Sequence, residues 1–432
     1  MKAETDTEKD EMMRVDFSPP DITEAEITAV AEVLRSGWIT TGPQASALEL
    51  ELARWAGVGD DVAAVADCTT APPRRAAVFS SGTAALECAL RLLGIGPGDE
   101  VITTAYTFTA TASVIYHVGA TPVLIDCAPN SFEMDYVALK EAITPRTKVI
   151  IPVDIGGVMC DYYQVWGAIN ATSELFSPTS GTLQEAFDSV IMLADAAHSL
   201  GASRFGHASG SVADFTAFSF HAVKNVTTAE GGALVWKRHA RLDDETVYRH
   251  LAQLRLHGQT KDALAKSALG GWEYDVALPG YKYNLTDVAA ALGLAQLTRY
   301  PQMLTRRREL VDSYVKGLDG EKVQLLDHRN EGNGSSCHLL MLRLRGKSQT
   351  FRDLFIQKMA QRGVTTNVHY KPLPLLSAYR QRGFDIRAYP QALAQYQNEL
   401  SLPLYSKLTD EQLAYVCASF DDVWDECAAA GV

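Results

Sequence analysis

Seven short apolar runs limit what this chain can fold into. They are AAVFS from 76, VIT from 101, PVLIDC from 122, KVIIPVDI from 148, VIMLADAAHS from 190, AFSF from 217 and ALVW from 233. Apolar residues at helical spacing separate several of them. Strands buried on both faces carry continuous apolar runs, and parallel neighbours need a long crossover between them. The pattern predicts an α/β chain built on a mostly parallel sheet with helices on both faces. Ligands in such sheets bind beyond the carboxyl ends of the strands. Ser81-Gly82-Thr83, Phe108, Asp195 and the stretch from Phe215 to Gly232 all lie at or just past such ends.

That last stretch, FTAFSFHAVKNVTTAEGG, contains one lysine, Lys224. Burial between strands lowers an amine's pKa and makes it a usable nucleophile or base; the competing reading is a lysine snorkelling at a strand end. Around Ser81-Gly82-Thr83 the chain reads strand, turn, helix, with Leu86, Leu90 and Leu93 on one helical face. Such a turn aims free N–H groups and a helix dipole at whatever sits above it, which suits a phosphate, although plain connectors look the same. Asp195 reads as a pocket carboxylate or as a helix cap. Phe108 reads as a ligand contact or as core, and His198 and His221 as site residues or satisfied buried histidines. The loop GWITTGP (37–43) spends Trp38 and Thr40 where a plain connector needs neither.

The remainder of the chain is organised around this sheet. At 432 residues it is long enough for two large cores, or for one large domain and a smaller one. The net charge of -13 argues against general binding to nucleic acid or anionic membrane. The seven cysteines are scattered without a CxxC, which indicates a reducing cytosol and neither a disulfide framework nor a zinc ribbon; no metal site is expected. Residues 1–16 are charged and read as a disordered tail, and no run is long enough to span a membrane. Thr23 to Glu26 has capping-box spacing, and Ser36-Gly37 ends the helix that follows. Residues 58–75 read as irregular, the Ser/Pro/Thr/Gly stretch 177–182 as a surface excursion, and 259–278 as loop. Thr286 caps an Ala-rich helix, a second helix starts near 306, and 330–336 reads as a hairpin-like loop or linker. From Cys337 onward HLLMLRLR reads as a strand, 350–362 as a helix, GVTTNVHY as a strand and Thr409 to Gln412 as the cap of a last helix. This order suggests a smaller α+β domain.

With these pieces together, the chain resembles the DegT/DnrJ/EryC1/StrS family of nucleotide-sugar aminotransferases from about residue 16 to the end. The carriers are GWITTGP, SGTAALE, GDEVIT with TF, ITPRTKVIIPV, DAAHSLGA, FSFHAVKN with AEGG, LHG, GYKYNLTD with QL, and NVHYKPL. Several are close to those of the branch that makes UDP-4-amino-4-deoxy-L-arabinose, whereas 58–75, 165–185 and the C-terminal region depart from it. The resemblance implies a fold-type I transferase dependent on pyridoxal 5′-phosphate (PLP). Its large domain, here 17–300, would hold a mostly parallel seven-stranded sheet, and a smaller α+β domain would span 301–432.

The same resemblance assigns roles. The Schiff-base lysine falls on Lys224, and the carboxylate that pairs with the pyridine nitrogen on Asp195. The ring-stacking aromatic falls on Phe108, and the residue near the cofactor's phenolic oxygen on His198. Ser81, Gly82, Thr83 and Ser219 fall on the phosphate cradle. Lys282 and Asn284 fall on the loop that reaches the phosphate from a partner subunit, which implies a homodimer with shared active sites. His369 falls on the substrate side, with Trp38 and Thr40. The implied reaction is amine transfer from glutamate to a 4-keto sugar on UDP or dTDP, for cell-surface polysaccharide, in the cytoplasm. Other readings are a sugar 3-aminotransferase, a lyase, a non-catalytic sensor, or a 3-dehydratase, whose branch carries histidine where this chain has Lys224.

Overall fold

The computed structural model describes residues 13–58, 75–261, 266, 272–329 and 333–431. Its centre is a seven-stranded sheet in the order β1-β9-β8-β5-β4-β2-β3. The strands are β1 (Ala76–Phe79), β2 (Glu100–Thr104), β3 (Thr121–Ile125), β4 (Thr147–Ile151), β5 (Ile191–Asp195), β8 (Phe215–Ser219) and β9 (Gly232–Trp236). From β3 to β8 all neighbours are parallel, and only β9 runs against both of its neighbours. Nearly every residue of these strands is buried, as continuous apolar runs require of a sheet covered on both faces. The mostly parallel α/β sheet predicted from the sequence is therefore present.

The helices enter as their caps dictate. α1 (Glu24–Ser36) carries the expected capping box, Thr23 with Glu26, and ends on Gly37 at φ 76°, a left-handed position that glycine takes without Cβ strain. α2 (Pro43–Trp55) starts at a proline, which suits a first helical position, and was not read from the sequence. α3 (Gly82–Leu92) and α4 (Thr109–His117) begin just beyond β1 and β2. The expected irregular segment 58–75 lies almost wholly outside the described residues.

Two expected helices are one. A single 31-residue helix runs from Asp287 to Gly317, straight through Pro301. An interior proline costs about 3 kcal/mol. Burial outweighs it: Ala290, Leu297, Tyr300, Met303 and Leu304 sit in one core, and Leu310, Val311 and Tyr314 in another. Each large apolar side chain contributes about 1.5–3 kcal/mol on burial. The helix thus joins the large-sheet core to that of a three-stranded antiparallel sheet, β10 (Val323–Leu325), β12 (Leu340–Leu344) and β13 (Glu399–Leu402). The helices Gln349–Gln361 and Asp410–Ala429 share this second core, and the last is opened by the expected Thr409–Gln412 capping box.

Three expectations change at its edges. Val15 is fully buried and pairs with Val364, so chain order begins ahead of residue 16; residues 1–12 lie outside the described ones. GVTTNVHY forms no ladder, only the isolated bridges Val15 to Val364 and Asn367 to Ser401. Of the expected hairpin-like loop or linker at 330–336, residues 330–332 lie outside the described ones, and the described part, 333–336, docks on the large sheet's side. There β11 (Asn333–Gly334) joins the short strands β6 (Ser203–Arg204) and β7 (His207–Ala208), and Ser335 and Ser336 are buried. No described helix is long and apolar enough to cross a membrane.

Candidate active site

Asp195 is the last residue of β5, and Lys224 lies in the loop between β8 and β9. That loop closes on itself. Phe220 donates to Gly231 O at 2.8 Å, Thr228 to Phe220 O at 2.9 Å, and Lys224 N to His221 O at 2.9 Å. The closure presents the Lys224 side chain to a cavity of about 430 Å³. Ser81, Gly82, Thr83, Phe108, Asp195, His198, Ser219, Lys224 and His369 all line it.

Burial sets the electrostatics. It lowers the Lys224 amine to about 8, against the opposing attraction of Asp195. Among the described residues no carboxylate forms an ion pair with this amine and none accepts a hydrogen bond from it. Asp195 is 7 % exposed, and burial raises its carboxyl above the usual range. Thr111 Oγ1 donates to Oδ2 at 2.7 Å and Ala197 N to Oδ1 at 3.3 Å, and both oppose that rise, as does Lys224. A desolvated amine and a desolvated carboxylate thus face one cavity without neutralising each other directly.

The phosphate-sized corner is made by close packing. Ser81 caps α3, its Oγ accepting from Ala84 N at 3.0 Å. The N–H groups of Gly82 and Thr83, ahead of it in the first turn, have no intrahelical partner and point outward with the positive end of the dipole. A Cβ on Gly232 would lie 2.3 Å from Gly82 N and 2.4 Å from Ser81 C, and one on Gly82 would lie 3.0 Å from Ser219 Cβ. At Gly232 only glycine lets the helix start sit flush on the ends of β8 and β9, and at Gly82 a side chain would be tight. An anion held there is close to backbone donors and to Ser219.

The opposite wall comes from far along the chain. His369 N donates to Glu399 Oε2 at 2.8 Å, and Tyr106 Oη donates to His369 O at 2.6 Å. Ser401 Oγ donates to Glu399 Oε1, so at 2.9 Å it accepts from His369 Nδ1–H. Those partners leave His369 Nε2 as an acceptor, and burial holds the ring neutral, its pKa lowered to about 3. Phe17 stacks on this ring with centroids 5.6 Å apart. Tyr370 lies 5.9 Å from the exposed Phe108 ring, centroid to centroid. Behind Lys224, Asn225 donates to Ser336 O at 2.7 Å and accepts from His338 Nδ1 at 3.0 Å, while Ser336 donates to His198 O.

Comparison with known proteins decides what kind of site this is. The model of the DegT/DnrJ/EryC1/StrS aminotransferase family matches residues 20–72 and 73–421. The chain belongs to that family. SpsC of Bacillus subtilis, a spore coat polysaccharide biosynthesis protein, is 35% identical over 411 residues, covering 94% of this chain and 96% of SpsC. Spr1654 of Streptococcus pneumoniae, provisionally described as a sugar aminotransferase, superimposes in its PLP form with a TM-score of 0.89. It is 47% identical, with 96% of this chain and all of that chain covered. It has also been solved in a PMP form. PseC of Helicobacter pylori, an aminotransferase in pseudoaminic acid biosynthesis, is 28% identical with a TM-score of 0.80 over 96% of this chain and 100% of that one. The family, the fold and the aminotransferase class expected from the sequence agree with these findings, as does the cofactor.

Not every residue singled out for this aminotransferase reaches the cavity of its own chain. Trp38 donates through Nε1 to Thr41 O at 3.3 Å and lines a separate groove of about 660 Å³ between α1, α2 and the Asp287–Gly317 helix. Thr40 O accepts from Asp287 N, whose carboxylate in turn accepts from Gly42 N and Ala45 N to cap α2. Lys282 is exposed and pairs through its backbone with Leu256, and Asn284 donates to Thr41 Oγ1 at 2.6 Å. The GWITTGP and GYKYNLTD motifs therefore touch each other; the second also pairs with Phe79 and Ser80 at the end of β1, but none of Trp38, Thr40, Lys282 and Asn284 lines the cavity. His221 is exposed at the cavity mouth, 3.6 Å from Glu230. Thr111, Tyr370 and His338 were missed. Tyr370 stood beside His369 in a quoted motif, but no spacing links Thr111 to Asp195 or His338 to Lys224.

Proposed function

We propose that the protein moves an amino group from glutamate to a keto-sugar nucleotide, a 4-keto sugar on UDP or dTDP, with PLP as cofactor. The observation that carries this reading is the amine of Lys224, lowered to about 8 and without an ion-pair partner among the described residues, facing the buried Asp195 across one cavity. Bound there, PLP supplies an electron sink for the carbon that loses a proton. The chain's own residues do the rest. Asp195, held by Thr111 and Ala197, keeps the pyridine nitrogen protonated. The N-terminus of α3 and Ser219 hold the phosphate, and Phe108 covers a ring face. Lys224 tethers the cofactor and, when released, carries the proton on and off the reacting carbon of donor and acceptor alike. His369 offers Nε2 as a hydrogen-bond acceptor to the sugar side.

We further infer that two copies share their sites in a homodimer. Trp38 lines the groove beside α1, Leu34 and Ile39, on and just after α1, are exposed, and none of Trp38, Thr40, Lys282 and Asn284 lines its own chain's cavity. A second copy covering that groove would carry them to its partner's cavity. The SpsC relative supports a place in polysaccharide biosynthesis. The described cysteines, all buried and unpaired, suit a reducing cytoplasm.

The test is spectroscopic and then chemical. Protein loaded with PLP is expected to be yellow, to bleach with glutamate, and to recover its colour with one member of a panel of keto-sugar nucleotides while releasing the amino sugar. A yellow protein that ignores glutamate and every keto sugar would refute the reading.

A further inference from the structure

The His198 ring has both nitrogens engaged. Gly156 N–H donates to Nδ1 at 3.1 Å, and Nε2 lies 3.1 Å from Tyr370 Oη. A backbone N–H can only donate, so Nδ1 carries no proton and the neutral ring keeps its proton on Nε2. Burial, the repulsion of Lys224 and that of His369 all act against a second proton on this ring. His198 therefore donates to Tyr370, and the Tyr370 hydroxyl is an acceptor in that contact. Its own proton has no acceptor among the described residues, and Tyr370 lines the cavity.

The order of strands says which part of a ligand meets that proton. β5, ending in Asp195, lies between β8 and β4. Ser219 and the start of α3 stand on the β8 side, whereas Gly156, which fixes His198, follows β4. In pyridoxal phosphate the aldehyde is opposite the ring nitrogen, and the phosphate arm and the phenolic oxygen flank it on opposite sides. Were the nitrogen held by Asp195, the aldehyde by Lys224 and the phosphate by the start of α3, the phenolic oxygen would face the β4 side.

Resting on the PLP reading above, we propose that Tyr370, not His198, is the group that donates a hydrogen bond to the cofactor's phenolic oxygen, with His198 a positioning residue that holds the hydroxyl in its donating orientation. Burial, Asp195 and Glu399 raise the phenol's pKa, so Tyr370 stays protonated through the working range. The titratable groups around it are His198, Asp195, Glu399 and the adjoining His369. A donor at the phenolic oxygen draws off negative charge that would otherwise hold the proton of the cofactor–lysine chromophore. Tyr370 thereby keeps that proton acidic.

The experiment is a pH titration of the absorbance of the PLP-loaded protein, in wild type, Tyr370→Phe and His198→Asn, with cofactor dissociation constants measured alongside. Tyr370→Phe is expected to retain PLP within a few-fold and to raise the chromophore's pKa by roughly one unit, a tenfold tighter hold on its proton. His198→Asn, which leaves the hydroxyl unfixed, is expected to give a smaller rise. A site-specific fluorinated tyrosine at position 370, a stronger donor of the same shape, is expected to shift the titration the other way, which keeps the test decisive if the phenylalanine variant does not fold. A Tyr370→Phe titration that superimposes on wild type, or a fluorotyrosine protein with no shift, overturns the assignment. A wild-type protein that takes up no PLP overturns the cofactor reading beneath it and is told apart by the absence of any band to titrate.

Discussion

On one side of the cavity, Asp195, Ser219 and Lys224 project from the ends of two adjacent parallel strands and the loop after them, and α3 starts directly above. On the other, Tyr370 meets His198 across 172 positions of sequence and Ser336 meets Asn225 across 111, through segments with almost no regular structure. The first wall is rigid because ladder hydrogen bonds fix each residue. The second is rigid because side chains fix one another. The difference teaches where function and stability should respond to the same kind of cut. The strand-end wall should carry the chemistry, and the distant wall should tune it.

The sharpest way to break that comparison is Lys224→Ala. It removes nucleophile and base together, and amine transfer is expected to fall by roughly 10⁴-fold or more, with loss of the covalent tether. Steady-state assays with glutamate check it. Asp195→Ala is expected to lower turnover by roughly 10²–10³-fold, the scale of a lost preorganised electrostatic partner. Thr111→Val leaves the carboxylate in place with one donor fewer and should cost about tenfold, on the scale of one hydrogen bond to a charged group. A Tyr370 or Ser336 variant that lost more activity than Asp195→Ala would reverse the ranking of the two walls.

A pH experiment sharpens the same point. The Lys224 amine is lowered from 10.5 to about 8, so the neutral form that attacks an aldehyde predominates above about 8 and is depleted below it. PLP uptake by the apoprotein is expected to slow about tenfold for each pH unit below that point. Stopped-flow absorbance checks it, and a rate still climbing steeply toward pH 10 would mean that burial does not act on this amine. In stability, Gly232→Ala forces a Cβ against the backbone of Ser81 and Gly82 and should cost about 2–3 kcal/mol. Ser336→Ala, which loses one hydrogen bond to His198 O, should cost about 1 kcal/mol. Denaturant melts of the two variants compare the walls directly.

The contrast also explains what could be read from the sequence. The sheet was legible because buried parallel strands have to be apolar throughout, and α1 and the last helix because their capping boxes are local. Lys224, Asp195 and the Ser81–Thr83 turn were legible because ligands meet such sheets at strand ends. Thr111 was not, since a threonine in the first turn of a helix carries no sign of the strand it will face. Ser336 was hidden in a stretch whose small polar residues read as a loop or linker, because nothing there encodes that Ser336 will pair with Gly157, and His338 opened a stretch that reads as a plain strand although its N–H turns to Gly156 O. The helix over Asp287–Gly317 read as two pieces although it is one: it runs through Pro301, and apolar cores on both sides of that proline keep it whole.

The central claim is that PLP is bound covalently to Lys224 with its ring against Asp195. Borohydride reduction of the loaded protein, digestion and mass mapping of the labelled peptide test it most directly. The account predicts a phosphopyridoxyl group on Lys224 alone, absent after Lys224→Ala and weakly retained after Asp195→Ala. A label on Lys282 or another lysine, or none on a protein that still transfers amines, would contradict it.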